Sequence, residues 1–139
     1  MSVADSRPQT PDLRLPKKLH LRAKADFDAV FDARTRESAG PLAFHARRND
    51  LPISRFGMSV SRKVGTAVQR NRIRRKLRES FRLLQHDLPK GYDVVVVVRP
   101  HAPLELVDYQ RLMRGSLQKL DATWKRRSTK RPESPASNG

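Results

Sequence analysis

Seven positive charges crowd into the thirteen residues from Arg70 to Arg82 (RNRIRRKLRESFR), with Glu79 the single carboxylate among them. The chemistry open to such a run is the binding of a polyanion, and its value depends on where the side chains point. On a helix turning about 100° per residue, with Ile73 set at zero, Leu77, Ser80, Phe81 and Leu84 fall within roughly 80° and define a buried stripe. Asn71, Arg74, Arg75, Arg78 and Arg82 fall between roughly 100° and 200° and form one ridge, with Arg70, Arg72 and Lys76 on its flanks. Arg74 with Arg78, and Arg78 with Arg82, are like charges at i, i+4, which cost an isolated helix about a few tenths of a kcal/mol each. A bound anion offsets that cost. Arginine dominates the ridge, and its planar fork grips phosphate oxygens through two hydrogen bonds where an ammonium offers a point charge. A solvated helix face is the plainer alternative; a nucleic-acid surface accounts better for the crowding.

Cleavage chemistry needs other residues. A two-metal nuclease requires several carboxylates converging on one point, and general acid–base catalysis requires a histidine pair placed for the task. His20, His45, His86 and His101 are scattered among different elements, and the early aspartates Asp26 and Asp28 are explained by a helix start. With no cysteine, neither a disulfide nor a thiolate zinc site is available. The expectation is a chain with no catalytic residue and no metal or cofactor site of its own.

The elements that must position the basic run are legible from periodicity. Ala25 to Ala33 places Phe27, Val30 and Phe31 at i, i+3 and i+4, predicting a short helix with an aromatic face. Leu42 to Arg48 and Ile53 to Ser61 alternate apolar and polar residues, predicting two half-buried strands. Asn49-Asp50-Leu51-Pro52 between them is turn material, so the two strands are expected to pair as an antiparallel hairpin. Tyr92 to Arg99 (YDVVVVVR) is nearly all valine, as for a strand covered on both faces, and is expected at the centre of the sheet. Thr66 and Gln69 have capping-box spacing at the start of the basic helix, and Leu88-Pro89-Lys90-Gly91 marks its end. A last helix is expected from after Pro103 to about Arg127, its stripe of Tyr109, Leu112, Met113, Ser116, Leu117, Leu120 and Trp124 packing on the sheet.

The formal charge of +16 on 139 residues repels itself unless a polyanion neutralises it, while 37% hydrophobic residues suffice for one modest core. Residues 17–127 are expected to form one domain between two polar, disordered tails, 1–16 and 128–139. No run of about 18 apolar residues suggests a membrane partner, and Met1 to Pro16 lacks the apolar core of a signal peptide, so a cytoplasmic protein is expected.

Gly57-Met58-Ser59-Val60-Ser61-Arg62-Lys63-Val64-Gly65, followed by Ala67-Val68-Gln69-Arg70-Asn71-Arg72-Ile73-Arg74-Arg75, resembles the signature of the bacterial ribonuclease P protein family. The resemblance extends to the Asp26-Phe27 and Val30-Phe31 pairs and to the polyvaline strand, and so covers most of Leu19 to Trp124. It implies an α/β two-layer sandwich with a central sheet of about four strands packed by helices. The arginine helix would lie in a left-handed β-α-β crossover, against the usual right-handed rule. It further implies a non-catalytic protein subunit of an endoribonuclease. The RNA subunit would remove the 5′ leader of precursor tRNA, leaving a 5′ phosphate, with Mg2+ held mainly by its own phosphates. Its partners would be the ribonuclease P RNA and precursor tRNA, with neither DNA nor membrane involved. Carried over by motif position, Arg70, Asn71, Arg72, Arg75 and Arg78 become RNA contacts, with Arg74 and Lys76 as weaker members. Arg62 and Lys63 either reach phosphates or form a plain basic loop. Phe27 and Phe31 map to a cleft for the single-stranded leader, where aromatic faces stack unpaired bases; the same spacing suits two ordinary core residues. Phe44, His45 and Ala46 lie near a cleft wall whose register the sequence leaves open.

Three other readings share some of these features. A ribosomal or ribosome-assembly protein would have the charge and the basic helix but no leader cleft. A helix-turn-helix DNA regulator would flank its basic helix with a short turn and another helix rather than with strands. An autonomous nuclease would need the missing carboxylate cluster.

Overall fold

The computed structural model describes residues 19–21 and 23–130, with the backbone alone for 128–130. In chain order the elements are α1 (Lys24–Asp32), β1 (Arg36–Ala39), β2 (Leu42–Arg48), β3 (Arg55–Val60), a single 3-10 turn (Arg62–Val64), α2 (Ala67–Leu84), β4 (Tyr92–Val98) and α3 (Leu106–Lys130). The four strands form one mixed sheet in the order β1-β2-β4-β3.

The polyvaline strand is central, as its composition predicts: β4 pairs antiparallel with β2 and parallel with β3. That placement overturns the expected hairpin. β2 and β3 do not touch; β4 lies between them, and the Asn49–Ser54 connection spans its width. Alternation had identified two strands with a turn between, but a strand of five successive valines loses most by standing at an edge, so β4 takes the middle. The actual hairpin joins β2 to β1, a four-residue strand with the sequence RESA that carries no apolar alternation. Gly40 makes its turn at φ 57°.

Strand alternation divides the sheet's two faces. Leu42, Phe44 and Ala46 of β2, Phe56 and Met58 of β3, and Val94, Val96 and Val98 of β4 point to the main core. There they meet Ile73, Leu77, Phe81 and Leu84 of α2 and Tyr109, Met113, Leu117 and Leu120 of α3, the stripes read from the sequence. These two helices and the sheet form the two-layer body, and β3-α2-β4 is a crossover between neighbouring parallel strands. Trp124 ties the far end of α3 down by donating its indole N–H to Ala46 O at 3.0 Å. α3 runs on to Lys130, past the expected end at Arg127, because no helix breaker occurs before Pro132. The remainder of both expected tails lies outside the described residues.

Among the described residues the opposite face of the sheet carries α1, over a smaller cluster of Leu21, Val30 and Val95 with Phe27 at its margin. Beneath α1, Asp93 of β4 is fully buried and accepts hydrogen bonds from Arg55 Nε at 2.8 Å, Arg55 Nη2 at 2.7 Å and Asn49 Nδ2 at 2.9 Å. Arg55 also stands 3.9 Å from Asp26 of α1, so one guanidinium links helix and sheet. α1 begins a residue earlier than expected, which leaves Asp26 alone in its first turn; Asp28 instead pairs with Lys24 at 2.8 Å.

Candidate nucleic-acid interface

α2 starts on the capping box that its sequence announces. Thr66 Oγ1 accepts from Gln69 N at 3.1 Å, and Gln69 Oε1 accepts from Thr66 N at 2.9 Å. This fixes the first turn directly after β3 and the 3-10 turn, so Arg62, Lys63 and the N-terminal arginines of α2 gather at one end of the sheet. Ile73, Leu77, Ser80, Phe81 and Leu84 are buried, which leaves the predicted ridge facing outward.

The basic residues sort into two groups. Arg70 Nε donates to Gly65 O at 3.2 Å, Arg74 Nη2 to Val60 O at 3.4 Å, and Lys76 Nζ to Leu104 O at 2.8 Å. These three side chains brace α2 against its surroundings. Arg74 also donates to Asn71 Oδ1 at 3.3 Å. Arg62, Lys63, Asn71, Arg72 and Arg75 are exposed, and Arg78 is half-buried beside them. Among the described residues no cation of α2 has a carboxylate within 4 Å; every ion pair lies on other elements. Burial, and then the charges of Arg74 and Arg75, push Arg78 below the usual guanidinium range.

On the other face, α1 crosses the sheet from β3 to β2. Phe27 lies over Gly57, and Phe31, 36% exposed, meets His45 edge-on with ring centroids 4.8 Å apart. The register resolves the wall that the sequence left open: Phe44 and Ala46 point into the main core, and His45 faces α1. Burial, followed by the charge of Arg36, pushes His45 below its ordinary value, so its ring is neutral at pH 7. Beside α1, the row Ser38, Ala43, Val97 and Ser59 crosses all four strands in register. Ser38 and Ser59 are exposed at its ends and Val97 is half-buried between them. The row and the flank of α1 beside it bound an open trough that runs about 14 Å from β1 to β3, three strand spacings. Arg62 and Lys63 follow directly after the C-terminal end of β3, and Arg74 donates to Val60 O at that same end, so the arginine helix adjoins the strand that carries Ser59. No group of three or more His, Cys, Asp or Glu among the described residues is arranged to hold a metal. No described helix is long and apolar enough to cross a membrane.

A sequence model of the family Ribonuclease P matches residues 15–126 of this chain, including α2, the trough and the whole sheet. The chain belongs to the ribonuclease P protein family. It is 38% identical over 100 residues to the ribonuclease P protein component of Desulfovibrio desulfuricans, across 70% of this chain and 77% of that protein. With the component of Xanthomonas euvesicatoria the identity is 45% over 93 residues, 66% of this chain and 63% of the relative. Among solved structures, the ribonuclease P protein of Thermotoga maritima superposes with a TM-score of 0.66 at 28% identity, covering 72% of this chain and 96% of that one. That of Staphylococcus aureus gives 0.64 at 25% identity, covering 72% and 93%. The chain is therefore a ribonuclease P protein component, a subunit of an endoribonuclease, and the ribosomal alternative finds no support among these relatives.

Sequence reasoning singled out the ridge, Arg62, Lys63, Phe27 and Phe31, and the structure brings the two groups to adjoining surfaces. It passed over Arg36 and Ser38, because β1 has no alternation to announce it. The cross-strand pairing of Arg36 with His45 appears only once β1 is placed.

Proposed function

We propose that the chain serves its ribonuclease P RNA through two surfaces: the exposed ridge of α2, with Arg62 and Lys63, binds the catalytic RNA, and the trough beside α1 holds the single-stranded 5′ leader of precursor tRNA. The observation that carries this reading is the junction of the two surfaces at the end of β3. An RNA held by α2 and a leader lying in the trough are thereby brought together on one small protein. Asn71, Arg72, Arg75 and Arg78 are the primary contacts to the RNA subunit. Arg70, Arg74 and Lys76 hold the helix in place and add positive potential. In the trough, Phe27, Phe31 and the neutral His45 offer flat faces to unpaired bases of any identity.

On this reading the RNA subunit performs the hydrolysis, with Mg2+ held mainly by its phosphates, and releases a tRNA with a 5′ phosphate. The protein screens repulsion between two RNAs and favours the leader-bearing precursor over the product. It thereby lowers the Mg2+ that cleavage needs. Phosphate contacts make the affinity fall steeply with salt.

The test is equilibrium binding of precursor and mature tRNA to the reconstituted holoenzyme. Phe31→Ala removes an exposed ring, so it should weaken precursor binding by about 1 to 3 kcal/mol, the worth of one stacked base, and leave mature tRNA binding unchanged. Equal loss on both tRNAs would contradict the assignment of the trough.

A further inference from the structure

The trough has a second basic end, at the β1 edge, built from residues outside the family motif. Arg36 stands directly opposite His45 in the β1–β2 pairing and so projects on the α1 side of the sheet, beside the Phe31–His45 contact. Two residues earlier, Arg34 occupies the left-handed region at φ 55°, where a side chain other than glycine is disfavoured. Arg127 of α3 closes over the same loop, donating to Ala33 O at 3.4 Å with its guanidinium 5.0 Å from the centre of the Trp124 ring. Residues 33–36 thus carry two arginines and are contacted by a third.

Among the described residues no carboxylate neutralises Arg34 or Arg36. Arg34 and Arg36 are exposed, and neither makes an ion pair or a side-chain hydrogen bond among the described residues. Glu37 belongs to the opposite face, where Lys119 stands 3.8 Å away. Asp32, at the end of α1, pairs with neither arginine. An exposed guanidinium beside two aromatic rings, with a second on the adjoining loop, matches the chemistry of a nucleotide, with the base on the rings and the phosphate on the forks.

We propose that Arg34 and Arg36 form a phosphate-binding subsite for single-stranded RNA that runs on past Phe31 and His45, at the end of the trough farthest from Arg62 and Lys63. The proposal rests on the reading of the trough as the leader site and deepens it. β1 and β3 are the two edges of the sheet, and the β3 edge adjoins α2 and hence the catalytic RNA. The β1 edge therefore receives the leader nucleotides farther from the scissile bond. Because the forks address phosphates, this subsite adds affinity without base preference.

The experiment compares mature tRNA with two precursor tRNAs, one whose leader ends within the trough and one whose leader extends beyond it, each bound to holoenzyme assembled with a bacterial ribonuclease P RNA. With the variant Arg34→Gly/Arg36→Gln, the preference for the longer leader should fall roughly tenfold, two exposed charge contacts being lost. The salt dependence of long-leader binding should become shallower by about 1.4 in log–log slope, 0.7 per single-strand phosphate. Arg34→Gly alone should lower the preference while holding or raising the melting temperature, because glycine relieves the left-handed backbone; this separates binding from folding. An unchanged preference overturns the subsite, as does an equal loss on both substrates, which would place the arginines against the tRNA body or the RNA subunit. If wild-type holoenzyme binds precursor no better than mature tRNA, the trough reading itself fails. If wild type prefers precursor and the variant keeps the full long-leader preference, only the subsite fails.

Discussion

The ring of Phe27 occupies the space over Gly57 that any other residue's side chain would fill: a Cβ there would lie 2.7 Å from Phe27 Cζ and 3.0 Å from Leu21 Cβ. The close approach of α1 to β3, and with it the depth of the trough, depends on that missing carbon. Gly57→Ala should push Phe27 outward and destabilise the fold by about 1 to 3 kcal/mol, the usual cost of overpacking. Denaturant unfolding reads the loss, and leader discrimination should fall with it. A variant as stable as wild type would show that α1 can lift freely from the sheet.

Asp93 is the buried anion on which the α1 side of the sheet is organised. Asp93→Ala leaves the Arg55 guanidinium with Asp26 alone, 3.9 Å away, and removes the partner of Asn49. Removing one member of a buried pair should cost about 3 to 5 kcal/mol. A loss below about 1 kcal/mol in urea titrations would mean that water reaches the pair readily, as at a surface.

His45 links the trough to pH. Its folded-state value lies below the ordinary 6.5, so folding favours the neutral ring. The stability this contributes is complete above about pH 6.5 and is lost as pH falls through the folded value. Because Arg36 supplies part of the shift, Arg36→Gln should move the His45 titration midpoint upward in an NMR pH series, while burial keeps it below that of a free histidine. An unmoved midpoint would place the Arg36 charge away from the ring.

The capping box at Thr66 and Gln69 holds the turn from which Arg70 and Asn71 project. Thr66→Ala removes the acceptor for Gln69 N and should cost about 1 kcal/mol of stability. Affinity for the RNA subunit should fall less than for a variant of the ridge itself. Gly65 adjoins the box so closely that an added Cβ would collide with Gln69 Oε1, so Gly65→Ala should give a loss of the same kind. Melting curves that leave both variants unchanged would mean that α2 is set by its packing alone.

The parts of this protein written in periodicity were readable before the structure. The buried stripe of α2 and its outward ridge follow from a turn angle, and the central position of β4 from five successive valines. Strand pairing was not readable in the same way, since alternation says which side of a strand is buried and nothing about its neighbour. Hence the expected β2–β3 hairpin gave way to β4 standing between them. β1 escaped notice because Arg36, Glu37 and Ser38 are polar on both faces of an edge strand. The basic β1 end of the trough was hidden for the same reason. Lys76 shows another limit: its charge makes it a candidate RNA contact, and nothing in the sequence announces that its Nζ donates to Leu104 O and ties α2 to the segment before α3.

The central claim is that this protein makes a ribonuclease P RNA effective through the face of α2. The most direct measurement is cleavage of a precursor tRNA by a bacterial ribonuclease P RNA at low Mg2+, with no protein, with the wild-type chain, and with Arg75→Ala/Arg78→Ala. The wild-type chain should do nothing alone and restore cleavage together with the RNA, while the double variant, still folded, should fail to restore it until the Mg2+ concentration is raised. RNA cleavage that gains nothing from the wild-type chain, or gains as much from the variant, would contradict the account.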